Sequence, residues 1–235
     1  MSTVLFFVRH AEVHNPRDVV YGRLPRFGLS ARGREQAARL ADCLADLPIA
    51  AIYTSPLLRA RQTAAAIAAR HPGVPVRRST LLLEIRTGWE GTPNKEIPKG
   101  TSFYVQRRRD DDEDIAAVLA RMQRLVRRLL RRHAGQTVVC VGHGDPIAIL
   151  ALWAGGAQVT PELLQQPLAP ARGAAIIFEY RTPDAPPVLS YFNPQDPEPA
   201  KPSEASAPLP PLDSPAAASQ DGAVAAVAAP VLPSA

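Results

Sequence analysis

Thr3-Val4-Leu5-Phe6-Phe7-Val8 runs into Arg9-His10-Ala11-Glu12 at the start of the chain. An apolar, β-branched and aromatic run without polar alternation marks a strand buried on both faces, the kind found in helix-covered parallel sheets. Working outward from it, Ser30 caps a helix whose apolar positions are Ala37, Leu40, Ala41, Leu44 and Leu47. Ile49 to Tyr53 predicts a second strand. A helix then starts at Thr54-Ser55-Pro56, with Pro56 in the first helical position, and runs to about Arg70. A short strand near Val74–Arg77 precedes an irregular Gly- and Pro-containing region over 85–112. Residues 113–133 carry Ile115, Val118, Leu119, Met122, Leu125, Val126, Leu129 and Leu130 at the spacing of one buried helical face. Thr137 to Val141 is a further buried strand, Gly142-His143-Gly144-Asp145-Pro146 opens a helix to about Trp153, and Ala174–Tyr180 and Val188–Phe192 are two final strands. Strands alternating with helices predict an α/β fold, a three-layer α/β/α sandwich around a mainly parallel central sheet.

Of the 25 prolines in 235 residues, 13 follow Arg181, and no aromatic residue follows Phe192. A segment made of Pro, Ala and Ser cannot bury enough apolar surface to offset its ordering entropy. The reading is therefore a globular domain over 1–193 and a disordered Pro/Ala/Ser-rich tail over 194–235. The tail holds one lysine and five acids, so the globular part carries 26 basic and 17 acidic residues, a net of +9. Such a domain suits an anionic partner. Cys43 and Cys140 match no metal or redox spacing and read as small core residues. The N-terminal apolar run is too short for a signal peptide and no stretch reaches membrane-spanning length, so the expectation is a cytoplasmic protein without membrane partners. The sequence sets no oligomeric state.

Ligands of open α/β sheets bind at the carboxyl ends of the strands. There the sequence puts Arg9 and His10 after the first strand, Ser55 to Arg59 after the second, and His143 after the strand that ends at Val141. Two histidines and two arginines converging from separate segments are equipment for phosphoryl transfer through nitrogen. A neutral imidazole is a competent nucleophile, and guanidinium groups hold phosphate bidentately. His143, at a helix start, also brings backbone N–H groups toward an anion. Glu84, between an apolar triplet and a Gly-rich loop, is the candidate proton donor, with Glu90 and Glu12 as competitors.

These residues resemble the histidine phosphatase superfamily, also called phosphoglycerate mutase-like. Phe7-Val8-Arg9-His10-Ala11-Glu12 is similar to its Arg-His-Gly-Glu signature, with Ala11 in the glycine position. Leu29-Ser30 with Gly33-Arg34-Glu35-Gln36-Ala37, Ser55 through Ala64, Leu83-Glu84 with Gly88-Trp89-Glu90-Gly91, and Val141-Gly142-His143-Gly144 follow in the family's order. The resemblance implies a transiently phosphorylated His10. It also implies a phosphoryl group held by Arg9, Arg59 and His143, with Glu84 as acid and then base, and Asn15 as a further phosphate contact from the first loop. It implies a small phosphorylated substrate and no cofactor.

Other readings are weaker. His10-Ala11-Glu12-Val13-His14 spaces two histidines four apart, but a zinc-protease helix needs Glu directly after the first His, and this segment leaves a strand and meets Asn15-Pro16. No metal is expected, and His14 reads as a loop residue. Arg107-Arg108-Arg109 is offset by the acids at 110–114, and Arg121, Arg124, Arg127, Arg128, Arg131 and Arg132 read as a solvated helix face, so nucleic acid is not the expected partner. The arginines at 107–109 could instead approach a substrate's anionic end. Ser55 reads as a helix cap, and Trp89 as a pocket wall or simple packing. Within the family a phosphatase is favoured over a mutase. Mutases typically carry a longer insertion between the acid and the second histidine, and here Glu84 and His143 are 59 residues apart. A catalytically silent ligand-binding member is the remaining alternative.

Overall fold

The computed structural model describes residues 1–166 and 168–196. Six strands, β1 (Thr3–Arg9), β2 (Ile49–Thr54), β3 (Val76–Arg78), β4 (Thr137–Gly142), β5 (Ala175–Tyr180) and β6 (Val188–Phe192), form one sheet in the order β3-β2-β4-β1-β5-β6. β1, β2, β3 and β4 pair in parallel, whereas β5 runs antiparallel to both β1 and β6. The mainly parallel sheet is as expected; the reversed strand is β5, which a short connection joins to β6 as an antiparallel pair.

β1 explains the layering. Leu5 and Phe7 point into one core with Met122, Leu125, Leu129 and Leu150, while Phe6 and Val8 point into the other with Leu40, Leu44, Ala60 and Ile67. Alternate side chains of one strand thus seed both layers. One face is covered by α1 (Ala31–Leu44) and α2 (Leu58–Ala69), the other by α3 (Ile115–Arg132) and α4 (Gly144–Ala154). Ser30 caps α1 by accepting from Gly33 N, and Asp114 caps α3 by accepting from Ala117 N.

Four expectations need correction. α2 begins at Leu58 with Leu57 as its N-cap, so Pro56 lies before the helix. The chain first follows β2 outward, with Ser55 N donating to Val141 O, and Ser55 Oγ accepts from Leu57 N at 3.3 Å besides meeting His143 Nε2. Arg121 is not on a solvated face: it is 9% exposed and bonded to Glu113, Leu81 O and Glu84 O. It flanks the apolar stripe, beside Met122, rather than lying opposite to it. Cys140 is buried on β4 as expected, but Cys43 on α1 is only partly covered. The third strand is shifted to Val76–Arg78. Residues 197–235, most of the expected tail, lie outside the described residues. Gln195, just beyond the expected boundary, donates its Nε2 to Gln36 O of α1.

Gly33 sets how closely α1 approaches the loop after β1. A Cβ there would lie 2.0 Å from the Glu12 carbonyl oxygen. Gly33→Ala is therefore expected to cost about 3 kcal/mol by overpacking against backbone that cannot rotate away, lowering Tm by about 6–10 °C. Thermal unfolding of the variant checks this, and an unchanged Tm would mean that the helix shifts freely.

Candidate active site

The carboxyl ends of β1, β2 and β4 bring His10, Arg59 and His143 together. His10 extends β1 by one residue, its N–H donating to Gly142 O at 3.0 Å. Its Nδ1 lies 2.8 Å from Ala11 O, an atom that can only accept, so Nδ1 carries the proton. The lone pair is then on Nε2, which accepts from Arg59 Nε at 3.1 Å. Burial, with Arg59 and Arg9 nearby, holds the His10 imidazole well below its ordinary titration range. The ring is neutral, and Nε2 is its unprotonated nitrogen, held by the hydrogen bond from Arg59. Ala11 fits in the glycine position because its methyl turns into a small apolar cluster with Leu29 and Ala37, while its N–H donates to Thr63 Oγ1.

Arg59, in the first turn of α2, has no exposed surface. Its Nη2 donates to Gly22 O at 2.7 Å and to His143 Nδ1 at 3.2 Å, and its guanidinium lies over the Tyr21 ring at 4.6 Å. His143, the N-cap of α4, accepts at Nδ1 and so donates from Nε2 to Ser55 Oγ at 2.8 Å. The two imidazoles stand edge to face, 5.2 Å between centroids. His143 is also held well below its ordinary range, first by burial and then by Arg59. Arg9 donates Nη1 to Pro170 O and rests against Gly144, where a Cβ would come within 3.2 Å of its guanidinium.

Two buried cationic N–H groups in this cluster, Arg9 Nε and Arg59 Nη1, have no hydrogen-bond partner among the described residues. Such donors are rare, and leaving one unpaired costs about 1–3 kcal/mol, more where the group is charged. Charged N–H donors of this kind are what a bound anion pairs with.

Glu84 follows a 3-10 turn at Thr80–Leu82, and its Oε2 lies 3.9 Å from His143 Nδ1. Burial, then the neighbouring Asp145, pushes its carboxyl up to about 7 against the pull of Arg59. A carboxylic acid that holds its proton near neutrality can supply it to a leaving oxygen. The backbone at this point is clamped. Glu84 O accepts from Arg23 Nε at 2.7 Å and Arg121 Nη2 at 3.3 Å, and Glu113 bridges the two arginines. The competing acids are engaged elsewhere: Glu12 accepts from Ser30 Oγ at the start of α1, and Glu90 from Arg23 N.

Asn15 turns inward on its own loop. Its Nδ2 donates to Val19 O and its Oδ1 accepts from Val19 N, so no hydrogen bond brings it into the cluster. His14 is exposed. Arg108 lies 3.4 Å above the Trp89 ring and donates to Thr92 Oγ1, and Trp89 stacks on Phe103. This arginine therefore straps the 100–112 segment down rather than reaching toward a ligand. Sequence reasoning missed Ser55 as the partner of His143, Tyr21 as the platform for Arg59, and Asp145. Only Asp145 carried a signal, two residues beyond His143. Beside Glu84 opens a cavity of about 250 Å³, lined by Tyr21, Ile85, Thr87, Phe103, Asp145 and Arg172 among others. Among the described residues no group of three or more His, Cys, Asp or Glu side chains is arranged to hold a metal ion, and no helix is long and apolar enough to cross a membrane.

Residues 5–180 match the family model of the histidine phosphatase superfamily (branch 1). The chain is 38% identical over 185 residues to the uncharacterized protein Rv0525 of Mycobacterium tuberculosis (strain ATCC 25618 / H37Rv), covering 76% of this chain and 91% of that one. It is 33% identical over 153 residues to phosphoserine phosphatase 1 of Hydrogenobacter thermophilus, covering 61% and 72%. Among solved structures, a phosphoserine phosphatase from Entamoeba histolytica in complex with 3-phosphoglyceric acid superposes with a TM-score of 0.66 at 26% identity, covering 81% of this chain and 96% of that one.

Proposed function

The chain belongs to the histidine phosphatase superfamily, and on that premise we propose that it hydrolyses phosphomonoesters of a small metabolite through a phosphohistidine, without a metal, in the cytoplasm. The observation that carries this reading is the pair of unpartnered buried cationic donors, Arg9 Nε and Arg59 Nη1, in the cluster where His10 Nε2 is unprotonated and accepts from Arg59 Nε.

The His10 Nε2 lone pair attacks phosphorus, and the ester P–O bond breaks as Glu84 delivers its proton to the leaving oxygen. Nδ1 keeps its proton on Ala11 O throughout, so the ring becomes a phosphorylated imidazolium whose positive charge faces that carbonyl. Arg9 and Arg59 hold the equatorial oxygens as their charge redistributes. In the second half, ionised Glu84 takes a proton from water, the water oxygen attacks phosphorus, and phosphate leaves with His10 neutral again.

This scheme sets a pH dependence. The free enzyme needs His10 neutral and Glu84 protonated. Since the Glu84 carboxyl is held at about 7, kcat/KM is expected to fall as pH rises through about 7. Glu84→Gln should abolish this limb and cost about 10²–10³-fold with esters whose leaving groups need a proton. The sign for stability is separate. A carboxyl raised from 4.5 when unfolded to about 7 when folded favours folding fully below 4.5, and that contribution is lost as pH rises toward 7. Glu84→Gln should therefore raise Tm at pH 8 and leave it nearly unchanged at pH 4.5.

The experiment for the function is release of inorganic phosphate from a panel of phosphorylated metabolites, with and without a chelator. Hydrolysis that survives chelation supports the proposal. Loss with the chelator overturns the metal-free mechanism, and no hydrolysis by folded protein overturns the enzyme reading. Transfer to a second phosphorylated acceptor, in place of phosphate release, would favour the mutase.

A further inference from the structure

Glu113 sits just before α3, next to the helix's N-cap Asp114, within the acidic run at 110–114. Composition sets that run against Arg107-Arg108-Arg109, but the Glu113 carboxylate is bonded elsewhere. Its Oε2 accepts from Arg23 Nη2 at 2.7 Å, from Arg86 N at 3.1 Å and from Arg121 Nη2 at 3.2 Å, and its Oε1 accepts from Arg121 Nε at 3.0 Å. Its backbone N–H donates to Arg86 O at 3.0 Å. Burial works against ionisation of this carboxyl, but the bonds and charge of Arg121, then the charge of Arg23, outweigh it and hold the group below its ordinary range.

Both arginines reach on to the acid, Arg23 Nε and Arg121 Nη2 donating to Glu84 O at 2.7 and 3.3 Å. The segment 84–86 is thus pinned at Glu84 O, Arg86 N and Arg86 O, and Ile85 between them is buried with Val118 and Ile149. Gly22, the neighbour of Arg23, accepts from Arg59 Nη2, so one loop anchors both Arg59 and the backbone of Glu84. The side chains of Arg23, Glu113 and Arg121 are only 17%, 18% and 9% exposed. Taking three charges out of water is a costly way to hold a loop, and apolar residues of similar volume often do it as well. A charged triad supplies one geometry instead, because planar guanidinium forks fit a carboxylate in few arrangements.

Resting on the phosphatase reading above, we propose that Glu113 is a positioning residue for the acid step: through Arg23 and Arg121 it fixes the Glu84 backbone, so that the carboxyl meets the leaving oxygen. Glu84 Oε1 accepts from Ile85 N at 2.9 Å, which leaves Oε2 to carry the proton. Proton transfer needs the two heavy atoms within about 2.6–3.2 Å, and a misplacement of about 1 Å can cost about 10²-fold.

The test uses the leaving group. p-Nitrophenolate departs without a proton, whereas the alkoxide of n-propyl phosphate needs one. The kcat/KM for each ester, which reads the phosphorylation half alone, is measured in wild type and Glu113→Gln at about pH 5.5, below the Glu84 titration at about 7, so that a shift in that titration does not enter. The propyl ester is expected to lose about 10–10²-fold and the nitrophenyl ester less than about threefold. Equal losses would make Glu113 structural and overturn the proposal, as would an unchanged propyl ester. Arg23→Gln, which keeps the Arg121–Glu113 pair, is expected to show the same bias and serves if Glu113→Gln does not fold. Where wild type does not turn over both esters, amide exchange decides. The Ile85 N–H, bonded to the acid itself, should exchange at least about tenfold faster in Glu113→Gln while Val139 N–H on β4 is unchanged, and equal Ile85 protection overturns the proposal. If no phosphoester at all is hydrolysed, the phosphatase reading fails by itself, and the exchange result still shows whether Glu113 holds Glu84.

Discussion

Replacing His10 by alanine is expected to lower phosphomonoester hydrolysis by about four orders of magnitude or more, because no other group offers an unprotonated nitrogen between Arg9 and Arg59. His143 is a poor substitute: its Nε2 carries the proton donated to Ser55 Oγ, and its Nδ1 lies between Arg59 Nη2 and Glu84 Oε2. The fold should survive. His10 is a neutral ring at the end of β1, and the strand's hydrogen bonds are made by backbone that alanine retains. What is lost is the Ala11 O contact and the acceptor for Arg59 Nε, together about 1–3 kcal/mol. Phosphate should still bind, since Arg9 and Arg59 remain, and should still raise Tm by mass action. Wild type, quenched during turnover, should yield an acid-labile, alkali-stable phosphoenzyme that His10→Ala lacks. Residual hydrolysis within about tenfold of wild type, or a phosphate trapped on another residue, would overturn the assignment of the nucleophile.

The second large effect belongs to Arg59. Arg59→Met is expected to reduce kcat/KM by about 10³-fold and to abolish the Tm rise with inorganic phosphate, while moving the Tm of the free protein only modestly. The argument for modest destabilisation is a balance. Losing Arg59 removes bonds to Gly22 O and to both imidazoles. It also removes a fully buried guanidinium whose affinity for its proton is already lowered by burial, and desolvating such an ion costs several kcal/mol. Methionine keeps much of the volume and can lie against Tyr21. On the proposed function, the charge serves the phosphoryl group rather than the fold. Arg59→Lys should restore little, because an ammonium cannot span His10 Nε2, Gly22 O and a phosphate oxygen at once. Calorimetric unfolding with and without phosphate, beside steady-state kinetics, checks both halves. A variant that fails to fold would show Arg59 to be structural, and one that keeps its phosphate response would remove Arg59 from the site.

Much of this site could be read before any tertiary structure. His10 and His143 lie directly after strands and Arg59 in the first turn of the helix that follows one, and strands of a parallel sheet end on one edge, so the sequence alone brings all three to that edge. Glu84 was placed because it follows an apolar turn and leads an irregular segment. Arg121, Arg108 and Asn15 were misjudged for a common reason. Each is a polar side chain whose partner is far off or unmarked in the sequence: Arg121 on the backbone of 81–84, Arg108 on the Trp89 ring, and Asn15 on the main chain of its own loop. Long polar side chains reach several ångströms in any direction, so composition and periodicity locate their Cα atoms but not their charges.

The sequence by itself determined the layering and the edge. The unbroken apolar run at 3–8 demanded cover on both faces, and the residues after it had to emerge at the sheet's carboxyl end. Only the tertiary structure decided the protonation of the site. A neutral His10 with its proton on Nδ1 follows from the Ala11 carbonyl and the burial of Arg59 beside it. A Glu84 that keeps its proton to about 7 follows from its enclosure next to Asp145. Residue types set which groups can titrate. Removal of water and the placement of neighbouring charge set where they do so, and both exist only once the chain has closed around them.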